Sequence, residues 1–147
     1  MDSENVGPRR LRFQLARVSI VQFDQSAADA IIQKLGSEIA RGSKFQARPW
    51  TDLVVVVNLS RGRQNVFGYV FWEPNEWEGA TPDGFDALDL AIDLQKAMRV
   101  PGQEPWQRCR VRITRATGQI DIDFDYEGDK WVSNMADPAG FAFSLRH

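Results

Sequence analysis

The residues best equipped for chemistry in this 147-residue chain are the acids of Asp121-Ile122-Asp123-Phe124-Asp125-Tyr126-Glu127-Gly128-Asp129. Read as a calcium loop, the run opens acceptably, with Asp123, Asp125, Glu127 and Gly128 at positions one, three, five and six. It then fails, because position twelve falls on Asn134 where a bidentate glutamate is required. Read as catalytic carboxylates, Asp121, Asp123 and Asp125 would share one face of a strand at a spacing of ~6.6 Å, open to water. The only histidine is His147, which leaves the usual triads and a His-ligated zinc site without their central group. Neither a Walker loop nor a glycine-rich dinucleotide fingerprint is present. The expectation is a non-enzymatic protein with no metal and no cofactor.

The element that must position those acids runs from Trp106 to Glu127. Cys109, Val111 and Ile113 alternate with Arg108, Arg110 and Arg112; Ile120, Ile122, Phe124 and Tyr126 alternate with Asp121, Asp123, Asp125 and Glu127. Alternation at period two marks half-buried strands, and Ala116-Thr117-Gly118-Gln119 between them predicts an antiparallel hairpin. With Thr117 and Gly118 as a two-residue loop, Arg112 would pair with Asp123, Arg110 with Asp125 and Arg108 with Glu127. The inner face would then set Ile113 against Ile122, Val111 against Phe124 and Cys109 against Tyr126. Three exposed cross-strand ion pairs, each worth roughly 0.2 to 1 kcal/mol, would make a solvated face that neutralises most of the acidic stripe. A slip of one residue would bury every carboxylate, so the faces are better determined than the register.

Residues 1–8 read as a loose tail. An edge strand with a bulge follows, carried by Leu11, Phe13 and Leu15, broken in phase near Ala16 and continued by Val18, Ile20 and Val21, with a helix beginning near Arg9 as the alternative. Ser26 as N-cap, with Ala28, Ile31, Ile32, Leu35 and Ile39 on one stripe, predicts a helix over 26–41. Leu53 to Val57 and Val66 to Trp72 are apolar in both phases, so they should be central strands covered on both faces, joined by a turn at 60–63. Thr81 as N-cap and Pro82 as first residue predict a second helix over 82–99 carrying Phe85, Leu88, Ala91, Ile92 and Leu94. After Glu127 come Trp131, Met135 and Phe141-Ala142-Phe143, whose aromatics should cover an open end of the core. The fold expected is α+β: an antiparallel sheet with two main helices packed on it and a 106–127 hairpin. The whole chain reads as one domain, with 1–24 an amino-terminal extension, 25–130 the core and 131–147 a tail.

A hydrophobic fraction of 43 % with five tryptophans excludes a disordered chain. Net charge is only -2, but it is unevenly placed: residues 1–63 hold ten Lys and Arg against six acids, and 64–147 hold eight against fourteen. Cys109 is the one cysteine, expected as a small buried hydrophobe. No apolar run approaches the ~20 residues of a membrane span, and no signal-peptide pattern opens the chain, so a reducing, cytoplasmic setting is expected. From Glu73 to Asp93 there are seven acids and no Lys or Arg. A helix dipole accounts for Asp83 and Asp86, though not for Glu73, Glu76 and Glu78 or for Trp77 among them.

The order of features over residues 28–130 resembles the YezG-like family of bacterial immunity proteins. An amphipathic helix precedes Pro49-Trp50-Thr51-Asp52-Leu53-Val54-Val55; a second strand ends in Tyr69-Val70-Phe71-Trp72; an acidic loop and a helix follow; Trp106 then opens a hairpin closing in Gly118-Gln119-Ile120-Asp121-Ile122-Asp123-Phe124-Asp125-Tyr126-Glu127. Residues 1–24 have no counterpart in that pattern, and Ile120 stands where the family often has an aromatic. The resemblance implies a protein that binds and neutralises a cognate toxin domain, commonly a nuclease. An acidic surface suits such a partner, because an enzyme that grips phosphates presents Lys and Arg. The expected surface is Glu73, Glu76, Trp77, Glu78, Asp83 and Asp86, with Trp77 as anchor; the opposing reading folds Trp77 back onto the core. Two alternatives stand beside it. Tyr69, Trp72, Trp106 and Tyr126 could line a small-ligand or enzymatic pocket. Arg108, Arg110 and Arg112 could grip nucleic acid, which the acidic neighbouring strand and a pI near 5.4 argue against. The doubly apolar central strands also leave room for a homodimer.

Overall fold

A computed structural model describes residues 11–14, 23–46, 49–60, 63–73 and 75–146, with only the backbone of 11–14. The elements in chain order are β1 (Leu11–Gln14), α1 (Gln25–Ala40), a 3-10 turn (Ser43–Phe45), β2 (Asp52–Asn58), β3 (Asn65–Trp72), β4 (Glu76–Gly79), α2 (Asp86–Ala97), β5 (Arg108–Thr114), β6 (Gln119–Asp125) and α3 (Pro138–Ser144). They build one sheet in the order β1-β6-β5-β2-β3-β4. Five strands are antiparallel, as expected; β1 joins the β6 edge in parallel. The expected edge strand is thus present over 11–14, while its bulge and its continuation to Val21, like the tail, lie outside the described residues. So do Arg61 and Gly62 of the expected 60–63 turn.

The β5–β6 hairpin keeps the faces read from its alternation and corrects the register. Thr114 pairs with Gln119 across a four-residue loop, so Arg112 faces Asp121, Arg110 faces Asp123 and Arg108 faces Asp125. On the inner side Ile113 meets Ile120, Val111 meets Ile122 and Cys109 meets Phe124. Gly118 takes a left-handed φ of 70° and donates its N–H to the Thr114 carbonyl at 2.8 Å, closing a longer turn than the two-residue loop. The partner of each β5 residue moves by two positions from the expected one, and an even shift preserves the side each residue faces.

One sheet face carries α1 and α2. Ala28, Ile32, Leu35 and Ile39 recur at helical spacing and are fully buried against Leu53, Val55, Val57, Val111 and Ile122. Gly36 lets α1 approach: a Cβ there would stand 2.6 Å from Ile120 Cδ1. The N-cap of α1 is Asp24 rather than Ser26, its Oδ1 accepting the Ala27 N–H at 3.2 Å. A carboxylate at that position also meets the positive end of the helix dipole, which a serine hydroxyl does not neutralise. The start of α2 is corrected by four residues. Asp83 is drawn away to Ser43, Gly84 turns left-handed at φ 64°, and the helix begins only at Asp86.

The other face of β2 and β3 is covered by the chain's own end. Val54, Val56 and Phe71 are no more than 1 % exposed beneath Phe141, Ala142 and Leu145. Phe141 packs against Phe67 and Tyr69 with ring centroids 6.0 and 6.1 Å apart, and Phe143 against Phe71 at 5.7 Å. The strands apolar in both phases are therefore covered on both faces, and over β2 the face that left room for a second copy is occupied by α3. Asp137 caps α3 by accepting the Gly140 N–H at 3.0 Å, with Pro138 opening the helix. Met135, between Trp131 and α3, is 87 % exposed.

Candidate protein-binding surface

Glu73, Glu76, Glu78, Asp83, Asp86, Asp89 and Asp93 are all exposed. Their placement follows from β4, a four-residue edge strand in a stretch that reads as loop. Glu78 lies opposite Val70 and Glu76 opposite Trp72, both of which pack on the helix-bearing face; Trp77 lies opposite Phe71, on the other face. Directly paired residues share a side, so β4 separates the two carboxylates from the tryptophan between them. Trp77 is half-buried, its ring 5.7 Å from that of Tyr69 and inclined by 64°. The reading in which Trp77 folds back onto the core describes its position; its expected role as anchor of the acidic group does not.

The acids continue on the helix-bearing side into the lead to α2. Asp83 Oδ2 accepts the Ser43 backbone N–H at 2.9 Å and the Ser43 hydroxyl at 2.6 Å. Those bonds, helped by Lys44, hold its carboxyl below the ordinary value of 3.8 and pin the loop to the 3-10 turn. Asp86 and Asp89 stand in the first turn of α2, where the dipole favours negative charge. Between Asp83 and Asp86 lies Phe85, 74 % exposed. Counted from periodicity as a core residue of the second helix, it sits instead at the N-cap position and makes no capping bond. A groove of about 190 Å³ opens beside it, lined by Asn65, Val66, Thr81, Pro82, Ala87 and Leu88 among others. The signal for this was the Pro82-Asp83-Gly84 turn, which moves the helix start beyond Phe85.

The hairpin acids are differently engaged, and the expectation of a solvated ion-pair face is overturned. Asp123 is 8 % exposed and Asp125 1 %. Asp123 Oδ2 accepts from Arg110 Nε at 3.0 Å and Nη2 at 2.5 Å, with Arg112 Nη2 at 3.4 Å. Asp125 is not an arginine's partner in the expected sense: it accepts the Glu127 and Lys130 backbone N–H groups at 3.1 and 2.9 Å, turning the chain out of β6. The arginines in turn hold the carboxyl end. Arg110 Nη1 donates to the Leu145 carbonyl at 3.3 Å, Arg112 Nη1 to that of Arg146 at 3.1 Å, and the Arg110 guanidinium lies 5.1 Å from the Trp131 ring centre. Arg146 forks onto Asp52 with two bonds of 2.9 Å and stacks over Phe71. Arg108 is half-buried opposite Asp125, and Glu127 is exposed beyond the end of β6.

The aromatics considered as a pocket do not converge. Tyr69 belongs to the α3 side, whereas Trp72, Trp106 and Tyr126 pack on the helix side, Trp106 almost fully buried with its ring 5.3 Å from Phe124. Burial raises the Tyr69 hydroxyl above its ordinary 10.0. Cys109 is buried within the sheet, and desolvation pushes its thiol up to about 12. No described helix is long and apolar enough to cross a membrane. The chain matches no family model and no curated protein, so its functional reading rests on the chemistry of the surface itself.

Proposed function

We propose that this chain is an immunity-type protein of the bacterial cytoplasm that acts without catalysis, binding and neutralising a cognate toxin domain of nuclease class through the acidic surface of β4 and the α2 lead. The observation that carries the reading is the exposure of all seven carboxylates from Glu73 to Asp93, in a run with no basic residue. An enzyme that binds a polyphosphate backbone concentrates Lys and Arg in its cleft, and a surface of this sign is attracted to that cleft and occupies it. The resemblance to YezG-like proteins supports the same class of partner. Electrostatic attraction of this kind acts mainly on the association rate and weakens with salt.

The test is capture of partners from the native host on the tagged protein, followed by a nuclease assay of whatever polypeptide is retained. The expected result is a basic polypeptide whose nucleic-acid cleavage is suppressed at equimolar ratio, with association slowed by Glu76→Lys and Glu78→Lys. Retention of no polypeptide with such activity, or activity undiminished by the bound protein, overturns the proposal.

A further inference from the structure

Phe85 breaks two local rules at once. At an N-cap the favoured residues are Ser, Thr, Asp and Asn, whose side chains accept one of the free N–H groups of the first turn. Phe85 supplies no such bond. A phenylalanine is also normally placed to bury its ring, yet this one is 74 % exposed although the fold buries Phe45, Phe71, Phe124 and Phe141. Neither capping nor packing accounts for it, and sequences depart from local consistency chiefly where function requires it. The position is held from both sides: Gly84 takes the left-handed turn before it, and Asp83 is tied to Ser43. The ring therefore stands at the lip of the groove it forms with Asn65, Val66, Thr81, Pro82, Ala87 and Leu88, and the exposed Asp83, Asp86 and Asp89 lie two residues before it, one after it and one helical turn beyond it.

We infer that Phe85 and this groove form the anchor of the acidic surface, and that they take a polypeptide segment presenting an apolar side chain between lysines or arginines. The inference deepens the immunity reading and rests on it for the nature of the whole partner. Charge selects the occupant: the exposed carboxylates that stand before and after Phe85 in the chain repel phosphate backbones and acidic peptides, and they complement basic side chains. An aromatic that becomes desolvated on binding is also the kind of residue whose truncation costs a large share of the affinity. Trp77, on the opposite face, has no part in it.

The probe is a synthetic twelve-residue peptide alternating lysine with leucine, titrated into ¹⁵N-labelled protein and followed by amide shifts. Expected are shifts confined to residues 64–66 and 81–89, binding at least tenfold weaker in Phe85→Ser, several-fold weaker in Asp86→Lys and unchanged in Trp77→Ala. Phe85→Ser should at the same time raise the midpoint of thermal unfolding, because a serine at this position can accept an N–H of the first turn. Shifts centred elsewhere, unaltered affinity in Phe85→Ser, or a lowered midpoint that marks the ring as part of the core would each overturn the inference. The two proposals fail separately. A captured nuclease that binds Phe85→Ser as tightly as the parent removes the anchor and leaves the immunity reading; localised peptide binding with no nuclease partner removes that reading and leaves the anchor.

Discussion

Replacing Asp123 by Asn distinguishes a solvated hairpin from one sealed by the carboxyl-terminal segment. On the sequence register Asp123 is one member of an exposed pair, and losing it should cost no more than about 1 kcal/mol. In the structure its side chain is 12 % exposed and those of Arg110 and Arg112 are 11 % and 22 % exposed. One carboxylate oxygen serves three guanidinium nitrogens. Removing the charge leaves two cations largely cut off from water, and breaking a buried pair in this way costs about 3–5 kcal/mol. The lower end applies, because Arg110 keeps the Leu145 carbonyl and the Trp131 ring and Arg112 keeps the Arg146 carbonyl. A loss of about 3 kcal/mol corresponds, with an m-value of about 2 kcal/mol/M, to a urea midpoint lowered by about 1.5 M. Equilibrium urea unfolding followed by tryptophan fluorescence measures it, with Glu127→Gln as the control expected to stay within about 0.5 kcal/mol because that residue is exposed. An Asp123→Asn variant within 1 kcal/mol of the parent, or a Glu127→Gln variant as damaged as Asp123→Asn, would refute the buried network and restore the solvated register.

Gly68→Ala should cost about 3 kcal/mol or more, since its Cβ would stand 2.7 and 2.8 Å from the Ala80 and Val54 carbonyl oxygens, whereas Gly36→Ala meets only the tip of Ile120 and should change stability by about 1 kcal/mol or less; chemical denaturation reads both, and the reverse order would contradict the packing. Native Cys109 should resist Ellman's reagent at pH 8. With its thiol raised from 9.0 to about 12 by burial, the stability linked to it is intact below pH 9 and declines as pH rises towards 12; rapid labelling of the folded protein at pH 8 would show the site to be open. Asp83 titrates below the ordinary 3.8, so its tie to Ser43 holds above that pH and loosens only as pH falls through the lowered value. The Ser43 amide resonance should be flat from pH 7 to 5, and a transition in that range would show that the tie is absent in solution.

Period-two and helical patterns made the layout legible. The antiparallel β2–β3 and β5–β6 pairs, α1 to within one residue and the burial of Cys109 all follow from which residues alternate. Long-range facts did not, because nothing local encodes them. Asp52 and Arg146 are 94 positions apart and meet only once α3 crosses the sheet. That crossing turns Arg110 and Arg112 from a solvated stripe into buried hooks. Asp83 has the credentials of a helix-start residue, and its loss to Ser43, 40 positions away, displaced the predicted start of α2. In the candidate site the acids were readable from composition alone. The exposure of Phe85, the proposed anchor, was not, because Phe85 fits the apolar stripe of a helix that would begin at Pro82, and only the true start at Asp86 releases it.

The two acidic stretches of this chain show why composition alone ranks surfaces poorly. In the hairpin, Asp123 is consumed by arginines and Asp125 by backbone N–H groups, so the denser run contributes structure. In the 73–93 run Asp83 is tied to Ser43, and the tie orients the loop carrying Phe85 while leaving the neighbouring carboxylates exposed. The buried network is tied to Leu145 and Arg146, just past α3, on one face, whereas Phe85 stands at the N-cap of α2 on the other. Sites this far apart with no shared partner respond additively to substitution. Changes at Phe85 should therefore leave the cost of Asp123→Asn unaltered, and a double variant whose urea midpoint departs from the sum of the single shifts would show that the acidic surface and the carboxyl-terminal clasp are one cooperative unit.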